Sequence, residues 1–319
     1  MKRMLMLMFF ALLFTLYPAC QQAGDPPEVE DRSSGLDIQA NLVFFYYPDL
    51  VEAERFYGEV LGLEKVLDYG FARIFRISQS TYIGLVDEER GMHKPGEPKT
   101  VTLSFVTDQI DGWYDYLVAQ GVPMRGPLKD ATRHATRGFV AYDPAGYFLE
   151  FERFLIHPEN ERLYNHLQGV LSVFPDPEGS TSRPSSLGIK ASVIWLYYRD
   201  IPRAQRFYRD VFGASLLVEQ AFAWIYSCSA SGFIGLVDES QGLHCFTEEK
   251  AVNVSFLSDR IDEWYARFQE FGVPINEPLE TASSIPVRAF VAYDPAGYFI
   301  EFDSFLDDPR NERLLSYLK

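Results

Sequence analysis

Between Asn41 and Tyr47 the chain is apolar, β-branched and aromatic, which predicts a strand. Asp49 then stands where a helix cap belongs, with Glu52 three residues on. Leu50, Ala53, Phe56, Tyr57, Val60 and Leu61 recur at helical spacing until Gly62 ends the run. Three short strand-like stretches follow, at 65–69, 71–78 and 81–87. The pattern then begins again. Val101–Val106 reads as a strand, and Asp108 is placed to cap a helix through Ile110, Trp113, Tyr114 and Leu117 that stops at Gly121. Further strands are expected near 123–125, 137–142 and 147–153, and a last helix over 158–168 carries Leu163 and Leu167 on one face. Helices separated by three strands cannot serve as crossovers of an all-parallel sheet. The fold class is therefore α+β, a largely antiparallel sheet with helices on one face.

The whole arrangement is written twice. AYDPAGYF occurs at Ala141–Phe148 and again at Ala292–Phe299, and the same shift of 151 residues aligns distant pieces without a gap. GLVDE at Gly84–Glu88 falls on Gly235–Glu239, Trp113-Tyr114 on Trp264-Tyr265, and NERL at Asn160 on Asn311. Each unit is too long for a solenoid repeat, so the expected domains are 39–168 and 189–319, packed as an internal pseudo-dimer. FPDPEGSTSRPSS, rich in Pro, Ser and Gly, marks a linker over 169–188.

The N-terminus changes the picture of where the chain works. Lys2 and Arg3 precede the apolar run Met4–Tyr17, which is too short for a bilayer span and reads as a signal peptide over 1–19. Cys20 follows directly, as in the lipobox of bacterial lipoproteins, although Tyr17 stands where leucine is usual. Lipidation at Cys20 and simple signal cleavage both remain open. The expectation is an exported bacterial envelope protein, tied to the membrane only through that anchor, with 20–38 as a disordered tether. A net charge of −16 excludes a nucleic-acid partner. Cys228 and Cys245 have Ile77 and Lys94 as counterparts, so a disulfide between them would belong to one copy only.

The doubled βαβββ order resembles the vicinal oxygen chelate superfamily of glyoxalase I, extradiol dioxygenases, fosfomycin-resistance enzymes and bleomycin-binding proteins. The motifs that carry the resemblance are D-x-x-x-A-x-x-F-Y-x-x-x-x-G at Asp49–Gly62 and DPAG followed by a glutamate. It implies four βαβββ modules in two tandem domains, with curled sheets around a ligand cavity. It also implies that Glu150 and Glu301 occupy the position of the glutamate that ligates the family's metal. The resemblance places the partner ligands near Leu42 and Val193, and near Thr100–Thr102 and Ala251–Asn253, where no histidine stands. A lone carboxylate does not hold a transition ion tightly, so no cofactor is expected.

Other readings come from the residues themselves. Asp143, Pro144 and Gly146 fit a type I turn, and alternation beyond it sets Phe148, Glu150 and Glu152 on one face. A glutamate between aromatic neighbours must be paired, solvated in a cavity or bound to a cation. His93 and His244 match across the copies, as ligand contacts or as loop-ordering groups. Arg137 and Arg288 match on a strand expected beside the glutamate, as substrate binders or structural ion-pair partners. Tyr46 and Tyr197 either line the cavity or fill the core. The leading expectation is a small organic ligand held by Glu150, His93, Arg137 and Tyr46 in one unit and by Glu301, His244, Arg288 and Tyr197 in the other. The alternatives are a lyase, isomerase or dioxygenase joining Glu150 with His93 and Glu301 with His244 around an atypical divalent metal, and a non-catalytic interaction module.

Overall fold

The computed structural model describes residues 36–94, 96–131, 134–176 and 180–318. The expected signal peptide, Cys20 and most of the expected tether lie outside the described residues. Of that tether, Leu36 and Ile38 pack against the core, and Ser258 Oγ donates to the Asp37 carbonyl. These three residues are docked on the core and on the second half of the chain, where the composition suggests slack chain.

Module 1 consists of β1 (Ala40–Tyr47), α1 (Leu50–Arg55), β2 (Glu64–Asp68), β3 (Ala72–Ser78) and β4 (Thr81–Asp87). Asp49 caps α1, accepting from the amides of Val51 and Glu52, and a π-helical turn over Phe56–Val60 extends the helix to Gly62. Module 2 holds β5 (Thr102–Val106), α2 (Ile110–Ala119), β6 (Lys129–Asp130), β7 (Thr136–Tyr142) and β8 (Phe148–Phe154), followed by α3 (Glu161–Leu167). Asp108 does not cap α2. The cap position is Gln109, which makes no side-chain cap; Thr107 Oγ1 accepts from the Gln109 amide and orders the turn into the helix.

The second half repeats this order. Module 3 holds β9 (Ala191–Tyr198), α4 (Ile201–Arg206), β10 (Leu216–Glu219), β11 (Ala223–Ser227) and β12 (Gly232–Asp238). Module 4 holds β13 (Val252–Leu257), α5 (Ile261–Glu270), β14 (Ile275–Thr281), β15 (Val287–Tyr293) and β16 (Phe299–Phe305), followed by α6 (Glu312–Leu315).

The modules do not combine within each half. One eight-stranded sheet runs β14-β15-β16-β13-β1-β4-β3-β2 and joins modules 1 and 4. The other runs β10-β11-β12-β9-β5-β8-β7-β6 and joins modules 2 and 3. The joints are the antiparallel pairs β1–β13 and β5–β9; β1–β4, β5–β8, β9–β12 and β13–β16 are parallel. Each sheet is thus mixed and mostly antiparallel. We refer to the 1+4 sheet as the outer-module sheet and the 2+3 sheet as the inner-module sheet. The two halves of the chain interleave, so neither half owns a whole sheet.

The repeated octapeptide ties the sheets together. The Asp143 carboxylate accepts from the amides of Ala145 and Tyr147 through Oδ1 and from the hydroxyls of Tyr47 and Tyr57 through Oδ2. Tyr147 Oη accepts from the Tyr46 amide and donates to the Ala251 carbonyl, so one side chain of module 2 fastens modules 1 and 4. Asp294 and Tyr298 repeat these contacts on Tyr198, Tyr197 and Thr100. Gly146 and Gly297 take φ of +85° and +82° within the turn, a conformation glycine reaches without penalty.

The linker is docked rather than slack. Arg183 is buried and donates to the carbonyls of Leu187, Val173 and Leu61, with its guanidinium over the Trp113 ring. Thr181 and Ser182 bond the Glu59 carbonyl at the π turn. Asn160 and Asn311, the heads of the NERL repeats, are buried and each donates to two carbonyls. The two cysteines Cys228 and Cys245 are free, against the disulfide considered above.

Candidate functional site

Each curled sheet encloses a cavity, of about 340 Å³ in the inner-module sheet and about 160 Å³ in the outer-module sheet. The floor is the same in both. Along β8 the alternate residues Glu150 and Glu152 face the hollow, while Leu149 and Phe151 are buried on the other face, where Phe151 packs on Trp113 of α2. Along β16 the cavity residues are Glu301 and Asp303. A serine on the neighbouring parallel strand donates to the second carboxyl of each pair: Ser104 to Glu152 at 2.5 Å and Ser255 to Asp303 at 2.6 Å.

These are carboxyl pairs without a basic partner. Among the described residues, none of the four makes an ion pair with a lysine, arginine or histidine. Burial is the first cause of their perturbation. It holds Glu150 and Glu301 well above the usual carboxylate range, with the neighbouring acid of each pair adding to the rise. It lifts Glu152 and Asp303 to about 7 even though the serine bonds pull downward.

The interleaving reassigns the partners expected from sequence. Tyr46 lines the outer-module cavity with Glu301, and Tyr197 lines the inner-module cavity with Glu150, so each tyrosine faces the glutamate of the other half. Tyr197 also shares a hydrogen bond with Thr102. The histidines change sides in the same way. His93 bonds Asn253 through Nε2 at 2.8 Å and Glu97 through Nδ1 at 2.7 Å, and Asn253 in turn donates to Glu301. His93 is therefore linked to Glu301, not to Glu150. His244 stands over Phe148 and edge-on to Tyr197, on the side of Glu150. Burial drops it to about 4, and nearby Arg125 works in the same direction, so the ring is neutral. Neither ring lines a cavity; the loops put Met92 and Leu243 there instead. The pairing of His93 with Glu150 and of His244 with Glu301 around one ion is thus overturned by the strand order.

Arg137 and Arg288 are corrected as well. In the β7–β8 pair Arg137 lies opposite Arg153, while Gly138 and Val140 lie opposite Glu152 and Glu150. Directly opposed residues share a face, so the arginine points away from the carboxyls. It pairs with Asp111 at 2.6 Å and Asp130 at 3.0 Å, and Arg288 pairs with Asp262 at 2.8 Å. These are partly exposed struts between strand and helix, not ligand contacts.

The polar residues around Glu150 and Glu301 do not suit the family's metal. The groups that bond there are a second carboxyl, a serine, and a threonine or asparagine. The imidazole in the inner-module lining, His134, is a single ring, and the outer-module lining has Ile285 at the equivalent position. Among the described residues no three His, Cys, Asp or Glu side chains converge as a ligand set.

Sequence reasoning missed Glu152, Asp303 and their serines, although the alternation that exposed Glu150 also pointed at Glu152. It also missed the reason for glycine in GLVDE. Phe44 lies beside Gly84 and Trp195 beside Gly235 across parallel strand pairs, and a Cβ would fall 2.2 Å and 2.0 Å from those rings. Both aromatics lie across their glycine and line a cavity.

The family model described as Glyoxalase/Bleomycin resistance protein/Dioxygenase superfamily matches residues 39–151 and 190–302. Among solved structures, a putative dioxygenase from Bacillus subtilis superposes with a TM-score of 0.58 at 14% identity, covering 84% of this chain and 85% of that one. Glyoxalase I from Zea mays superposes with a TM-score of 0.56 at 14% identity, covering 88% and 95%. At such identities the likeness is one of fold. No match was found among curated proteins.

Proposed function

The chain belongs to the glyoxalase/bleomycin resistance protein/dioxygenase superfamily, and from that premise we propose that it binds small organic molecules in the cavities of its two curled sheets, without the family's usual metal centre. The observation that carries this reading is the floor of each cavity, a buried carboxyl pair with no basic partner. Such groups are costly to bury unless a ligand completes their hydrogen bonds. The groups bonded to the carboxyls support the metal-free form of the reading, since they are the hydroxyls of Ser104 and Ser255 and the amide of Asn253. Aromatic walls supply apolar contact, among them Trp195, Tyr197 and Phe222 in one cavity and Phe44, Tyr46 and Phe71 in the other. Export to the bacterial envelope with lipid on Cys20 belongs to the same proposal. It is supported by the basic-apolar-cysteine order of the first twenty residues.

A thermal-shift screen of a broad small-molecule library tests the reading, with Ala223→Phe and Ala72→Phe as controls. These equivalent alanines line the two cavities, and phenylalanine at either site fills its own hollow. Compounds that stabilise the parent chain are expected to lose their effect in one filled variant. A folded protein that no compound stabilises, or shifts that both filled variants retain, would refute it.

A further inference from the structure

The duplication gave the two cavities one floor and different walls. Subtracting the common floor leaves a consistent contrast. In the inner-module cavity, Arg125 and Lys129 line the mouth; the equivalent positions of the other half are Asn276 and Glu280, and neither lines the outer-module cavity. Arg125 and Lys129 are exposed and make no ion pair among the described residues.

Deeper in, Gln220 is only 7% exposed, and its Nε2 is buried without a hydrogen-bond partner. The equivalent position in the other cavity is Tyr69. Thr136 in the inner-module cavity likewise becomes Val287. Beyond the paired acids, the weaker charge effects follow the same division: Arg125 acts on Glu150, whereas Glu277 acts on Glu301.

A buried amide donor left unpaired is costly, and an acceptor atom supplied by a ligand removes that cost. Two unpaired cations at a cavity mouth attract an anion and hold it at the rim. Arg125 and Arg90 each have an aromatic ring beneath the guanidinium, Phe148 at 5.6 Å and Phe71 at 4.7 Å. Among the described residues, however, Arg90 is the one basic residue in the outer-module lining, without a second cation beside it as Lys129 stands beside Arg125. Its counterpart in the inner-module cavity is Gln241.

We infer that the two cavities have separate ligands, and that the inner-module cavity takes a small carboxylate whose body carries a hydrogen-bond acceptor: the acid group meets Arg125 and Lys129 at the mouth, and the acceptor meets Gln220 inside. The outer-module cavity takes no such anion. The inference deepens the ligand-binding reading and rests on it.

4-Hydroxybenzoate is a suitable probe, with 4-hydroxybenzamide as its neutral counterpart, titrated calorimetrically into the full chain. One equivalent of the acid should bind per chain, more tightly than the amide. The double variant Arg125→Gln/Lys129→Gln should weaken the acid by about tenfold or more while leaving the amide within about twofold. Gln220→Leu should weaken both, and Arg90→Gln neither. Both mouth residues are exposed, so the double variant keeps its fold, and an unchanged melting temperature verifies this.

Two equivalents of acid per chain, equal loss of acid and amide in the double variant, a requirement for Arg90, or no binding of the acid would each overturn the inference. If the acid fails while other compounds from the thermal-shift screen still bind, this assignment falls and the ligand-binding reading stands. If nothing binds either cavity, both fall.

Discussion

Asp143 and Asp294 show two opposed effects acting on one group. Four hydrogen bonds to Asp143 favour its ionised form, yet burial outweighs them and the carboxyl is lifted to about 6, as is Asp294. Glu152 and Asp303 stand higher, at about 7. For each of these acids the folded state binds its proton more tightly than the unfolded chain does. Their contribution to stability is therefore fully present below the unfolded values near 4 and is lost as pH rises through 6 and 7. The melting temperature should fall between pH 5 and pH 8, measured by calorimetry at constant ionic strength. Glu152→Gln keeps an oxygen to accept from Ser104 and removes one titrating group. It should flatten that fall and raise stability at pH 8 by on the order of 1–3 kcal/mol. A melting temperature that climbs steadily from pH 5 to pH 8 would show that these carboxyls are ionised in the folded chain.

At the scale of elements, local chemistry was legible and long-range pairing was not. The Asp49 cap, the DPAG turn, most of the succession of strands along the chain and the alternation that turns Glu150 inward all follow from neighbouring residues, and the structure reproduces them. The strand expected at 123–125 is reduced to a bridge at Met124, with β6 at Lys129–Asp130 instead. Arg137 was misread although its register is local: with Tyr142 opposite Phe148 across the DPAG turn, counting back sets Arg137 opposite Arg153, on the face away from Glu150. The exchange of Tyr46, His93, Tyr197 and His244 between cavities is the long-range case: sequence does not state that β1 pairs with β13. The linker is a third case. Pro, Ser and Gly suggest slack chain, but the single cation Arg183 organises it, with burial lowering the guanidinium to about 10. Arg183→Ala leaves the carbonyls of Leu187, Val173 and Leu61 short of donors in a buried setting and removes a cover from Trp113. A loss of about 3–5 kcal/mol is expected from denaturant titration. A loss below about 1 kcal/mol would mean the segment behaves as the tether its composition suggests.

For the whole molecule, interleaving makes each half incomplete. A fragment of residues 36–176 retains modules 1 and 2, but β1 loses β13 and β5 loses β9. Two apolar edges, Ala40–Phe45 and Thr102–Val106, are then unpaired, and an exposed edge of that kind recruits another strand. The duplication supplies the answer, because β13 is the repeat of β5 and β9 is the repeat of β1. In a pair of identical fragments, β1 of each copy can therefore take β5 of the other and rebuild both sheets. Tyr147 would then reach across to a carbonyl near residue 100 of the second copy, as it now reaches Ala251. The fragment should run as a dimer in light scattering coupled to size exclusion, with unfolding that depends on concentration. Tyr147→Phe deletes the hydroxyl that joins three modules and should weaken that dimer more than it weakens the intact chain, in which the linker already holds the halves together. A folded, monomeric fragment with concentration-independent melting would show that modules 1 and 2 can close on each other, and that the pairing in the full chain is a choice imposed by its length.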